Sequence, residues 1–336
     1  MAKEKKKQHY VPRGYLESWA IPGKYQVHVY NKKQRKHYPA SIYDVASERY
    51  FYDIDFTGIL TPEELQKFGI ANCDPKHADD EQYIENYLAD QIEDDFQTRI
   101  TQIINRVNTM TAWETQNCYF LSEADKFHLS FHLALQHVRV KAVRNSISDM
   151  NDCLCQALQD MGAQQEFIDR YTVPDSQFPY IHGKMILDHA AIEEFSQSYF
   201  SLTWVLQINK TNKPFFTSDS PIGTEEHLHH PFMSMAGLQC RGVEAYFPIA
   251  PNMMLLMFDG DYHTFLSGHD RRIIELTNPN DVEYCNSRCL LHCDTCVFSN
   301  TPDFSIVDTI LGNDPDVFDH PHTVMHWGGK TYMPSK

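Results

Sequence analysis

Leu202-Thr-Trp-Val-Leu-Gln-Ile208 is the stretch at which the chain changes character. It reads as a strand, and what lies before it reads as helix. Residues 80–108 carry one apolar stripe, Ile84, Leu88, Ile92, Phe96, Ile100, Ile103 and Val107, at the spacing of a helix face. A second helical region runs from Ser122 to about Met161. Ser122-Glu-Ala-Asp opens it as an N-cap with acids in the first turn. Its length exceeds that of ordinary globular helices, so a break or bend is expected within it. Tyr171–Pro179 reads as loop and His189–Phe200 as helix.

Beyond Ile208 the signals are those of a sheet. Asn209–Pro214 is a turn, and Phe215–Ser218, Ala245–Ile249 and Met253–Phe258 are strands. Asn280–Cys293 reads as a helix and Thr295–Ser299 as a last strand. At the other end, Tyr25–Tyr30 and Lys36–Tyr43 form a hairpin around a polar turn, and Ser47–Asp53 is a third short strand. Residues 54–80 read as loop, with a short helix after Thr61-Pro-Glu-Glu. Strands, long helices and strands in that order predict an α+β fold. Its mixed or antiparallel sheet is formed by N-terminal and C-terminal strands and packs against the long central helices. The expected organisation is a single domain over residues 1–300 with a helical middle at about 80–200. A tail at 301–336 either packs through Ile306, Ile310 and Trp327 or stays partly loose.

Composition narrows the function classes. The 336 residues hold 29 Lys and Arg against 45 Asp and Glu, a net charge of −16. That opposes a non-specific grip on nucleic acid, which needs basic surface. It leaves a nuclease open, because a divalent cation can neutralise an acidic site locally. The basic run Lys3–Lys7 reads as a solvated tail. No apolar run is long enough to span a bilayer, and no secretory signal follows the first methionine. The nine cysteines then read as reduced thiols in a cytoplasmic protein.

Several polar residues stand where apolar ones are expected. His9 lies in Gln8-His-Tyr-Val-Pro-Arg-Gly-Tyr-Leu16, just before the stiff Val11-Pro12 pair and the apolar face of Tyr15, Leu16 and Trp19. Glu85 falls in the middle of the 80–108 stripe and Glu93 at its edge. A buried carboxylate needs a cation, a metal or strong donors. The bland reading of both is an ion pair with Arg139. On the next helix His128, His132, Gln136 and Arg139 share a face. Two His at i and i+4 can share a metal, but His-Leu-Ser-Phe-His lacks the glutamate of a zinc protease, so a hydrogen-bonded polar face is the better reading. Arg139 can pair with Glu85 or with a phosphate. Asp219, in Thr217-Ser-Asp-Ser-Pro221, ends a strand and can bind a metal, orient His9, or close its own Asx turn. Cys285, Cys289, Cys293 and Cys296, with His292, look like a zinc set. Three of these thiols stack on one helix face, however, and Cys is also a good small core residue.

Taken in order, Gln8–Leu16, Val29-Tyr-Asn-Lys-Lys33, the Ile84-Glu85 to Ile92-Glu93 helix, Leu133-Ala-Leu-Gln-His-Val-Arg139, Pro214–Pro221, Tyr246-Phe-Pro-Ile-Ala-Pro251, and Asn286 before Val297-Phe-Ser299 resemble the domain of unknown function (DUF) 4238 family, found mainly in bacteria. The resemblance covers about residues 8–300. It implies a recurring fold and no activity, and it marks His9, Glu85, Glu93, Gln136, Arg139, Asp219 and Asn286 as matching positions. The expectation drawn from these residues is a metal-assisted hydrolase, in its sharpest form a nuclease acting on phosphodiesters. Glu85 and Asp219 would hold Mg²⁺ or Mn²⁺, and His9 would be the general base or acid. Arg139 would stabilise an oxyanion, with Gln136 and Asn286 orienting the substrate. The alternatives are a small-ligand or nucleotide sensor without turnover, and a structural or interaction protein with a buried polar network.

Overall fold

The computed structural model describes residues 5–54, 81–230, 233–266 and 268–334. The short helix expected after Thr61 and the loop Cys73–Asp80 lie outside the described residues. The fold is α+β. The chain opens with β1 (Lys7–His9), α1 (Arg13–Glu17), β2 (Gln26–Asn31), β3 (Lys36–Ser41) and β4 (Ser47–Arg49). β4 is shorter than the expected third strand, because Tyr50 turns left-handed at φ 57° and ends it. The helical middle begins with α2 (Tyr83–Tyr87), a π-helical turn (Leu88–Ile92) and α3 (Glu93–Thr109). It continues with α4 (Glu123–Arg139), α5 (Lys141–Asp160), α6 (Phe178–Leu187) and α7 (His189–Ser201). Then come β5 (Thr203–Asn209), β6 (Thr217–Ser218), β7 (Gly223–Glu226), β8 (Val243–Ala250), β9 (Met253–Phe258), β10 (Arg272–Leu276), α8 (Pro279–His292) and β11 (Cys296–Ser299).

Two main sheets result, where one was expected. The first is antiparallel, in the order β3-β2-β11-β6, and it joins both ends of the chain: Val297 faces Tyr30 on one side and Ser218 on the other. The second is built only from the C-terminal half, in the order β10-β5-β9-β8-β7, with β10 parallel to β5 and the rest antiparallel. Every residue of β8 and β9 is buried, which explains their near-continuous apolar sequence. Pro248 is tolerated in β8 because the register shifts there, and its free carbonyl accepts a hydrogen bond from the Tyr15 hydroxyl at 2.7 Å. The same hydroxyl lies 2.6 Å from Thr217 Oγ1, and Trp19 Nε1 donates to the Phe215 carbonyl. Tyr15 of α1 thus stitches one sheet to the other.

The break expected in the second helical region falls at Val140. This buried residue is extended (φ −73°, ψ 156°), ends α4 and opens α5. The Arg139 carbonyl, which loses its helical partner there, accepts from the Tyr52 hydroxyl at 2.7 Å. Beyond residue 303, Ile306 and Ile310 pack beside Phe304, Val307 and Phe318. Trp327 does not join them. It is exposed in the hairpin Met325–Trp327/Lys330–Tyr332, and Tyr332 makes the buried contact with Cys153 and Ala157 instead. Among the described residues no helix is long and apolar enough to cross a membrane.

Candidate functional site

Arg139, the last residue of α4, is 1% exposed. One of its terminal nitrogens donates to Glu93 Oε1 and to the His9 carbonyl, each at 2.7 Å. Burial works against its charge, but Tyr52 and Glu93 outweigh that and hold it firmly protonated. One turn earlier, Gln136 Nε2 donates to the Tyr10 carbonyl at 3.0 Å. The end of α4 therefore grips the backbone of the opening stretch. The π turn brings the acidic partners into place. Eight residues of straight α-helix would set Glu85 and Glu93 about 80° apart around the axis. One residue absorbed by a π turn reduces that to roughly 20°. Glu85 accordingly feels both Arg139 and Glu93. Burial pushes its pKa up to about 7, Arg139 opposing and Glu93 adding. His9 is brought down to about 4 by burial and by Arg13, Arg139 and Lys7, so its imidazole is neutral at pH 7. Its Nε2 is buried with no hydrogen-bond partner among the described residues. His9, Glu85, Glu93, Gln136 and Arg139 are thus brought together.

Asp219 and Asn286 are not part of that knot. Asp219 Oδ1 accepts from the Asp294 amide at 3.0 Å, and Oδ2 accepts from the Thr295 and Cys296 amides at 2.9 and 2.8 Å. Burial and the charge of Asp294 push its pKa up to about 7, against those donors. Asn286 Oδ1 accepts from the Phe216 amide at 2.7 Å, while its Nδ2 donates to the Pro214 carbonyl at 2.9 Å. Both residues clamp the backbone that leads into and out of β6 and β11. Glu85 and Asp219, expected to hold one cation, stand among different charged neighbours. The charges acting on Glu85 are Arg139, Glu93, Lys5 and Asp53, whereas those acting on Asp219 are Asp294 and Lys32. Asn286 has both ends of its amide occupied by backbone.

The remaining sequence candidates are also placed. His132 Nε2 bonds Asp95 Oδ2 at 2.6 Å while His128 is exposed, so the two imidazoles do not share a ligand position. Cys285, Cys289 and Cys293 are buried among apolar side chains; burial pushes the Cys285, Cys289 and Cys296 thiols up to about 12 and also raises Cys293 well above the ordinary thiol value. Protonated thiols are poor zinc ligands.

What the Asp219 clamp holds in place is the turn carrying Asp294, and Asp294 lines a cavity of about 270 Å³. Its wall also includes His137 from α4, Asn145 and Asp149 from α5, His292 from the end of α8, and His322. Asp294 is oriented by Asn145 Nδ2 at 2.9 Å and by the Thr295 hydroxyl at 3.0 Å. The buried Lys32 ammonium donates to the Cys293 carbonyl and, at 2.9 Å, to His322 Nε2. That bond makes Nε2 an acceptor and leaves any proton of neutral His322 on Nδ1. Burial, with Arg288 and His322 adding, lowers His292 to about 4. Burial also raises Asp149; Thr323 opposes this, while Asp152 and Asp294 add to it. The cavity therefore sets uncharged imidazoles beside the Asp149 carboxyl, whose charge the neighbouring Asp294 disfavours. Sequence reasoning noticed only His292 here, and as a zinc ligand. The other groups come from α4, α5, the turn after α8 and the tail, and only Asn145 and Asp149 share a helical spacing. The nearest signal was the Asp219 motif, whose role is to hold its neighbour.

A family model described as "Protein of unknown function (DUF4238)" matches residues 7–303. No curated protein and no solved structure matches the chain. The match takes in the Arg139 knot, the Asp219 and Asn286 clamps and every wall of the 270 Å³ cavity except His322, which follows it. With all but the N-terminal tip and the C-terminal tail covered, the chain belongs to the DUF4238 family of proteins of unknown function.

Proposed function

We propose that this protein is a metal-assisted hydrolase of phosphoesters, working in the cavity between α5 and the end of α8. The observation that carries this reading is the pair Asp149 and Asp294 in one wall, with Asp294 disfavouring the charge of Asp149, beside a neutral His292. A divalent cation between the two carboxylates relieves their repulsion, and oxygen donors suit Mg²⁺ or Mn²⁺. Lys32 is committed to Cys293 and His322, so the cation is the group that meets an anionic phosphate. His292, uncharged at pH 7, takes the proton from an attacking water. The net charge of −16 favours a small phosphoester over a long nucleic acid. A binding protein without turnover is the second reading. It is favoured by the way Arg139, Gln136, Asp219 and Asn286 are absorbed into backbone contacts.

Thermal unfolding with and without Mg²⁺ and Mn²⁺ tests the cation. At 100 times its dissociation constant a cation stabilises by about 2.7 kcal/mol. The midpoint is expected to rise in the wild type and in Glu85→Gln, and not in Asp149→Asn or Asp294→Asn. Turnover of bis(4-nitrophenyl) phosphate with Mn²⁺ is expected in the wild type and lost in His292→Gln. A rise without turnover selects the binding reading. No rise with either cation removes the metal-assisted one.

A further inference from the structure

The break at Val140 has a cavity on each side. The second, of about 940 Å³, lies among α4, α5, α6 and α7. Val138, Val143, Ile181, Met185, Ile192 and Phe195 line it, together with the polar Gln177, Lys184 and Asp188. His137 belongs to the wall of both cavities, so the apolar chamber adjoins the polar cleft. The His137 ring packs edge-on against Phe195, and its Nδ1 is satisfied by the Tyr199 hydroxyl at 2.5 Å. Helix α5 divides its faces to match: Val143 lines the apolar chamber, while Asn145 and Asp149 line the polar cleft.

We propose that the two cavities are one substrate site and that the substrate is amphiphilic, with a phosphoester head in the polar cleft and a hydrocarbon chain in the apolar chamber. The head assignment rests on the hydrolase reading; the chain assignment rests on the chamber alone. A concave site of this volume with chiefly apolar walls is the usual form of a small-molecule pocket. The apolar side chains of the wall suit an alkyl chain better than a base or sugar, whose polar edges would lose water against them. The chamber is several times larger than the polar cleft, which fits a substrate that is mostly tail.

Titration calorimetry of butyl, octyl and dodecyl phosphate, each below its micelle concentration, on the full chain with Mn²⁺ tests this. Affinity is expected to rise about two- to fourfold per methylene covered. Ala191→Trp and Met185→Glu, at wall positions that are at least partly exposed, are expected to keep the wild-type unfolding midpoint and flatten the gradient. Equal affinity for all three phosphates overturns the proposal, as does a gradient that both variants leave intact. A gradient with no turnover, and with affinities unchanged by Asp149→Asn or by leaving out Mn²⁺, supports the chamber and removes the hydrolase reading. Turnover of short phosphoesters with no gradient does the reverse.

Discussion

Glu85 sits where burial and Glu93 oppose its ionisation and Arg139 favours it. The sign of the outcome is fixed by the raised pKa. Between pH 4.5, its ordinary value, and about 7 the folded carboxyl holds a proton that the unfolded one has released. Its contribution to stability is therefore full below pH 4.5 and is lost as the pH rises through 7. Glu85→Gln, which mimics the protonated form, should match the wild type at pH 4.5. At pH 8 it should be the more stable by about 1–2 kcal/mol, allowing for solvent screening of a half-buried group. Urea denaturation at the two pH values measures this, and an unchanged gap would remove Glu85 from the titration. That Glu85 needs a cationic neighbour was legible from its place in the apolar stripe. That the neighbour is Arg139 was one of the readings its residue type allowed. Which groups share the working cleft was not legible. Asp149 and Asp294 sit on polar surfaces of their own elements, and only the assembled fold brings them into one wall.

At the scale of elements, periodicity found α2 to α5, α7, α8 and the buried strands because those patterns are local, but not α6 (Phe178–Leu187), whose first residues read as loop. It missed the π turn, whose cost and benefit lie in the partners it brings to Arg139. It also missed β7 and β10, which take their places at the two edges of the sheet. The turn from α8 into β11 depends on one side chain on β6's exit. Asp219→Asn turns an acceptor of three backbone donors into a poorer one or places an amide against one or two of them. It is expected to destabilise the fold by about 3 kcal/mol in urea, since hydrogen bonds to a charged group are worth more than neutral ones. The variant should also blunt the Mn²⁺ response, because Asp294 shares that turn. Full stability would show that the 294–296 amides find other partners.

For the whole molecule, the sheet that joins the two ends of the chain sets a schedule. β2 is complete by residue 31, yet its partner β11 spans 296–299. On the ribosome the opening strands leave the exit tunnel with one edge unpaired and wait while the helical middle and the second sheet are made. A chain halted at residue 290 should leave residues 5–54 open to limited proteolysis, and protection there would show that the opening segment folds alone. Pairings this distant along the chain are slow to form, and an unpaired edge is a site for the wrong partner. The stitching that makes the finished protein continuous from end to end thus makes its birth the interval in which it most needs a chaperone.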